Sequence, residues 1–228
     1  MVQKNPHLEI ACFNLDSARI AQENEVDRIE LCDGFEVGGT TPNTETTRLA
    51  RATFKKVLFV MIRPRGGNFV YSDAEFNEMK SAIQEFKKLK VDGFVFGILN
   101  QNKSINTLQN SELVQLAAPF PCTFHRAFDE VADAFQSLEA IIECGFQTVL
   151  TSGQSKNVVD GMERLSELVS KANNRITIMP GGGLRSSNIK LIQQKTNANW
   201  YHSSAITEGN QIANANEINA LKSNLNHP

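Results

Sequence analysis

What this sequence lacks narrows it first. It has no apolar run of the length a bilayer crossing needs, so no membrane-spanning helix and no membrane partner are expected. The opening residues, Met1-Val2-Gln3-Lys4-Asn5-Pro6, have no apolar core of the kind a secretory signal requires, and a cytoplasmic location is the expectation. There is no excess of positive charge. The 23 Lys and Arg face 25 Asp and Glu for a net −2, which leaves no electrostatic footprint for nucleic acid. Cysteine is scarce: Cys12, Cys32, Cys122 and Cys144 show no CxxC spacing, and in a cytoplasmic chain they are expected as free thiols. No low-complexity block interrupts the 228 residues, so a packed core can extend along the whole chain.

What is present is one phrase repeated: a short apolar strand, a polar tip, then a helix. Strands are expected near residues 8–13, 27–32, 57–62, 93–97, 121–125, 148–151, 175–179 and 199–202. Helices are expected near 14–24, up to 53, 72–89, 111–117, 131–144, 156–171, from Ser186 or Ser187, and 213–225. The run Val57-Leu58-Phe59-Val60-Met61-Ile62 is almost continuously apolar, as a parallel strand covered on both faces should be. Alternating strands and helices imply a parallel sheet. Eight such units fill residues 1–228 without room for a second domain. Closure into a single-domain α/β barrel of the (β/α)8 TIM type leaves no sheet edge exposed. The rival, a doubly wound open sheet, more often carries GxGxxG after its first strand, and Phe13-Asn14-Leu15-Asp16 has none.

In a barrel the chemistry gathers where strands end. The stretch Thr123-Phe124-His125-Arg126-Ala127-Phe128-Asp129 puts an imidazole, a guanidinium and a carboxylate at one such tip. The period-2 alternation of strands adds Glu30, Arg63 and His202 to an inward-facing set with His125, Arg126 and Asp129, the candidate catalytic residues. Glu9, lower on its strand, points into the same lumen. Charged groups belong there only when paired or functional, and Arg63 is the natural partner for Glu30 on the neighbouring strand. A second group has the character of an anion site: Arg65, Ser152, Gly153, the run Gly181-Gly182-Gly183, and Ser203.

Ile29-Glu30-Leu31-Cys32, Gly38-Gly39-Thr40-Thr41-Pro42, Met61-Ile62-Arg63-Pro64-Arg65-Gly66-Gly67, Thr123 through Asp129, Leu150-Thr151-Ser152-Gly153 and His202-Ser203-Ser204-Ala205 together resemble the copper homeostasis protein family CutC. The motifs run in the family's order from the second strand to the eighth. The pattern departs at Pro180, immediately before the glycine run. The resemblance implies a cytoplasmic TIM-type barrel, copper binding with a role in copper homeostasis, and assembly as a homodimer or higher homo-oligomer.

The residues themselves leave two functions open. Reduced copper prefers soft thiolate and thioether ligands, and Cys12 with Cys32, ending neighbouring strands, are the candidate metal pair. Alternation nevertheless sets Cys12 opposite Glu9 and Ala11 while Cys32 is in phase with Glu30, so the two thiols point differently unless their strands bend. Cys122 starts its strand and Cys144 ends a helix, where a thiol is most simply a small hydrophobe. The arginine-rich set instead suits a small anionic molecule, with Glu30 or His125 as a base. That is the character of a lyase, isomerase or hydrolase acting on a phosphorylated or carboxylated metabolite. A third arrangement, Glu30 with both His125 and His202 around a divalent metal, is opposed by the adjacent Arg63 and Arg126.

Overall fold

The computed structural model describes residues 6–226; residues 1–5, which hold most of the N-terminal stretch considered above, and 227–228 lie outside the described residues. Strands β1 (His7–Cys12), β2 (Arg28–Leu31), β3 (Val57–Met61), β4 (Gly93–Phe96), β5 (Cys122–Phe124), β6 (Thr148–Thr151), β7 (Thr177–Pro180) and β8 (Trp200–Ser203) alternate with helices along the chain. The helices are α1 (Leu15–Glu23), α2 (Thr44–Thr53), α3 (Asp73–Lys88), α4 (Thr107–Ala117), α5 (Ala134–Glu143), α6 (Met162–Ala172), α7 (Ile189–Thr196) and α8 (Ala215–Asn226). All strand pairs are parallel, in the order β7-β6-β5-β4-β3-β2-β1-β8. A single parallel bridge between Gly181 and His202 joins the two ends of that order. The fold is a (β/α)8 TIM barrel.

The strand sequences explain the two-layered core. In β3, Leu58 and Val60 turn out to the helix layer and are fully buried. Phe59 and Met61 alternate with them and face inward, where they meet Cys32, Val95 and Phe13 in a smaller cluster. Helix starts follow their caps. Asn14 accepts from the Ser17 amide, Asn43 from Thr46, and Ser72 forms a reciprocal capping box with Glu75. Phe76 and Phe86 on α3 are buried in this chain's own core.

Four local expectations differ, the first being α4, which begins at Thr107 under an Asn106 cap and not near 111. After β5 the chain makes a 3-10 turn, Arg126–Glu130, and α5 begins only at Ala134 under an Asp133 cap. After β6 the helix begins at Met162 and not near 156. Gly153 (φ +75°) packs so tightly on Gly161 that a Cβ would lie 2.5 Å from the Gly161 carbonyl oxygen, and this fold-back uses up the intervening residues. Ser186 does not cap α7, because its amide and hydroxyl both bond the Glu217 carboxylate at 2.7 Å; Asn188 takes the capping position without a side-chain capping bond.

Candidate functional site

The lumen is plugged at its lower end and open above. Arg28 lies between the rings of Phe59 and Trp200, 4.3 and 4.1 Å from their centroids, and its Nε donates to Glu9. Register explains the meeting: parallel pairing sets Glu9 beside Arg28 on one side and beside His202 on the other. The other Glu9 oxygen takes the His202 Nδ1 at 2.7 Å. Burial alone would raise the Glu9 carboxyl, but the Arg28 charge and the His202 bond overcome it and bring it down to about 2.

Above this plug is a cavity of about 470 Å³ lined by Glu30, Cys32, Met61, Arg63, His125 and His202, with apolar walls that include Phe13, Phe69 and Leu150. His202 Nε2 stands 3.8 Å from Glu30 Oε2, and Glu30 Oε1 is buried without any partner. Burial, reinforced by the Glu9 charge against the pull of His202, raises Glu30 to about 7. Burial disfavours the imidazolium of His202, yet the bond to Glu9 and the charges of Glu30 and Glu9 raise its pKa above the ordinary value.

The opposite wall is Arg63, His125 and Phe69. The expected Glu30–Arg63 pair does not form. Arg63 is held by backbone carbonyls: Nη1 donates to Val37 and Gly39, each at 2.7 Å, and Nη2 to Gly67 at 3.0 Å. The residue is buried, no carboxylate among the described residues pairs with it, and its Nε has no partner. Its guanidinium carbon lies 4.8 Å from the Phe69 ring centroid, and the His125 ring lies 4.8 Å from the same ring. His125 Nδ1 accepts from the Ala127 amide, so the proton sits on Nε2, which is buried and unpartnered. Burial and the Arg63 charge lower His125 to about 3, leaving the neutral ring. The residue just after β4 must be glycine for this ring to fit, since a Cβ on Gly97 would lie 2.8 Å from His125 Nδ1.

The second predicted group is used mostly inside the protein. Arg126 and Asp129 pair at 2.7 Å at the outer rim. Asp129 also accepts from the Thr151 hydroxyl (2.5 Å), the Ser152 amide (3.0 Å) and the Gln154 amide (3.1 Å), while the Ser152 hydroxyl donates to the Ser155 carbonyl (2.6 Å). The amides of Ser152 and Gln154 converge on the protein's own Asp129 carboxylate, while the Gly153 amide donates to the Thr151 hydroxyl instead. Gly181 bridges to His202, the Gly182 carbonyl accepts from Val158, and the Gly183 carbonyl accepts from Asn188. Ser203 donates to the Leu184 carbonyl, and Arg65 pairs with Glu75. Neither Arg65, Ser203 nor the glycine run lines the cavity.

Of the thiols, Cys32 lines the cavity beside Met61, while Cys12 packs in the layer between strands and helices and donates to the Ile10 carbonyl. All four cysteines are free and buried. Burial and the Glu30 charge raise the pKa of both Cys12 and Cys32. Among the described residues, Glu9, Glu30 and His202 are the one set of three such groups whose ligating atoms lie within 4.8 Å of one another. The two-histidine arrangement with His125 is therefore replaced by one histidine and two carboxylates. Of these Glu9 is already saturated by Arg28 and His202, the arrangement in which a carboxylate orients a metal-binding imidazole.

The family model for CutC matches residues 6–207. The chain belongs to the CutC family. It is 39% identical over 198 residues to the human copper homeostasis protein cutC homolog, covering 87% of this chain and 72% of that protein. A CutC family protein of Parabacteroides distasonis is 42% identical over 199 residues, 87% of this chain and 82% of its own. The crystal structure of CutC from Streptococcus agalactiae superposes with a TM-score of 0.83 at 34% identity, covering 87% of this chain and 98% of that one. Among the described residues of this CutC family chain, no helix is long and apolar enough to cross a membrane.

Proposed function

We propose that the barrel mouth binds copper and that this binding is the chain's part in copper homeostasis. The observation that carries the reading is the donor set in one cavity: His202 oriented by Glu9, Glu30 with a free oxygen, the Cys32 thiol and the Met61 thioether. The set fits the metal, because imidazole and carboxylate suit Cu(II) while thiolate and thioether suit Cu(I). His202 Nε2 and Glu30, which belong to the close-set trio, would hold it, and Cys32 and Met61, which line the same cavity outside that trio, would move in as soft donors. The Cys32 proton must leave on binding, so affinity should rise with pH. The names of the human and mouse relatives, both copper homeostasis protein cutC homologs, support the assignment. Cytoplasmic residence and homo-oligomeric assembly go with this reading; light scattering on the purified chain tests the second.

The test is a chelator-competition titration with Cu(I) under reducing conditions. Cys32→Ser and His202→Ala should each weaken binding by about tenfold or more, the equivalent of one lost ligand at roughly 1.4 kcal/mol. Cys12→Ser, outside the cavity, should change it little. Equal weak binding by all four proteins would remove the proposal.

A second reading is favoured by the other wall. Arg63 Nε and His125 Nε2 are buried polar atoms without partners, and native proteins leave few of these without a ligand or water to meet them. With Glu30 raised to about 7 as an acid–base group, the cavity has the equipment of an enzyme acting on a small molecule, of the lyase, isomerase or hydrolase kind.

A further inference from the structure

We propose that Arg63, His125 and Phe69 form a subsite for the carboxylate of a small organic acid, a monoanion that spans the cavity toward Glu30. The inference goes beyond copper and deepens the second reading, on which it rests for placing a small molecule in the cavity.

Charge bookkeeping around the lumen is the starting point. Three of the four arginines in and beside it are neutralised within the protein: Arg28 by Glu9, Arg126 by Asp129 and Arg65 by Glu75. Arg63 is the exception. It is 4% exposed and bonded only to the carbonyls of Val37, Gly39 and Gly67, so a full positive charge faces the cavity without a counter-charge. A buried cation in that position is stabilised when an anion joins it. His125, 3% exposed, adds a neutral Nε2–H with no acceptor, held by Gly97 behind it and Phe69 across it. The Tyr71 hydroxyl lies beside Arg63, whose charge works against the burial that raises the phenol pKa.

The same geometry selects a carboxylate over a phosphate. Three of the five guanidinium N–H groups of Arg63 go to carbonyls, which leaves the Nε–H and one Nη2–H. No lysine lines the cavity, and the amides that could cradle a phosphate at Ser152 and Gln154 are occupied by Asp129. Glu130 at the rim adds a negative charge that a dianion would meet. One uncompensated charge, with the remaining planar N–H donors of Arg63 and the Nε2–H of His125, suits the two oxygens of a monoanionic carboxylate. At the far end Glu30 Oε1 lacks a partner and can accept from a hydroxyl, while Phe13, Phe69 and Leu150 provide apolar walls for the body between.

The experiment uses the full chain, labelled for NMR, with three probes that share a phenyl ring: mandelate, methyl mandelate and phenyl phosphate. Mandelate should shift the Arg63 Nε–H and His125 ring resonances saturably, at least about tenfold more tightly than either companion. His125→Phe, which keeps a ring of similar size, should weaken mandelate by about tenfold while copper affinity stays within about twofold of wild type. If the ester or the phosphate monoester matches mandelate, the carboxylate assignment is overturned while the small-molecule reading stands. Binding by none of the three in wild type overturns both.

Discussion

At the scale of single residues, the site is governed by which buried groups have partners. Asp129 has all of its own: four donors converge on it, from Arg126, the Thr151 hydroxyl and the amides of Ser152 and Gln154. Asp129→Asn keeps the shape but sets an amide N–H against some of those donors. It should cost about 2–4 kcal/mol in urea unfolding, the range for breaking a buried, charge-assisted network. His125 behaves oppositely, because burial and the Arg63 charge outweigh what favours its charged form. Its pKa is about 3 folded against an ordinary 6.5, so below 6.5 the unfolded chain takes up the proton first. That contribution is intact above pH 6.5 and is lost as pH falls toward 3, with a slope of at most about 1.4 kcal/mol per pH unit. His125→Phe should flatten this part of the pH–stability profile when unfolding midpoints are compared across the window.

Residue identities were partly legible in advance. Glu30, Arg63, His125 and His202 could be grouped because alternation along each strand fixes which side chains face in. Their pairing could not, because it depends on register between strands far apart in sequence. Glu9 meets His202 across the pairing of β1 with β8, which only the closed barrel sets. Serines and glycines were misleading for another reason. The donors near Ser152 do form an anion nest, and composition cannot say that Asp129 already fills it.

At the scale of elements, Arg63 is a clasp. From the end of β3 it ties the loop after β2, through Val37 and Gly39, to its own following loop, through Gly67. Arg63→Met keeps the length of the stem and removes three hydrogen bonds. Limited proteolysis should then cut within 34–41 and 65–69 well before the rest of the barrel, whereas wild type is cut in neither. Equal resistance in both proteins would show the loops to be held by other contacts. The starts of α1 and α3 were readable near Asn14 and Ser72, whose side chains cap them. The 3-10 turn after β5 was not, because Asp129 and His125 bond their surroundings in ways no local propensity encodes.

At the scale of the molecule, the barrel has a seam. Each of its other strand junctions is a ladder, but β7 and β8 meet through the single Gly181–His202 bridge. Because His202 is both a seam residue and a proposed copper ligand, metal binding should slow amide hydrogen exchange in β7 and β8 more than in β3 and β4. Uniform protection, or none at the seam, would separate the metal site from barrel closure. The overall architecture was the most legible level, since eight strand tips with polar residues leave few other ways to bury eight apolar strands.

The most direct test of the central claim is X-ray absorption at the copper edge on the loaded full chain. The donor set in the cavity predicts sulfur in the first shell together with imidazole scattering, and the imidazole signal should disappear in His202→Ala. A spectrum without sulfur, unchanged by His202→Ala, would contradict it.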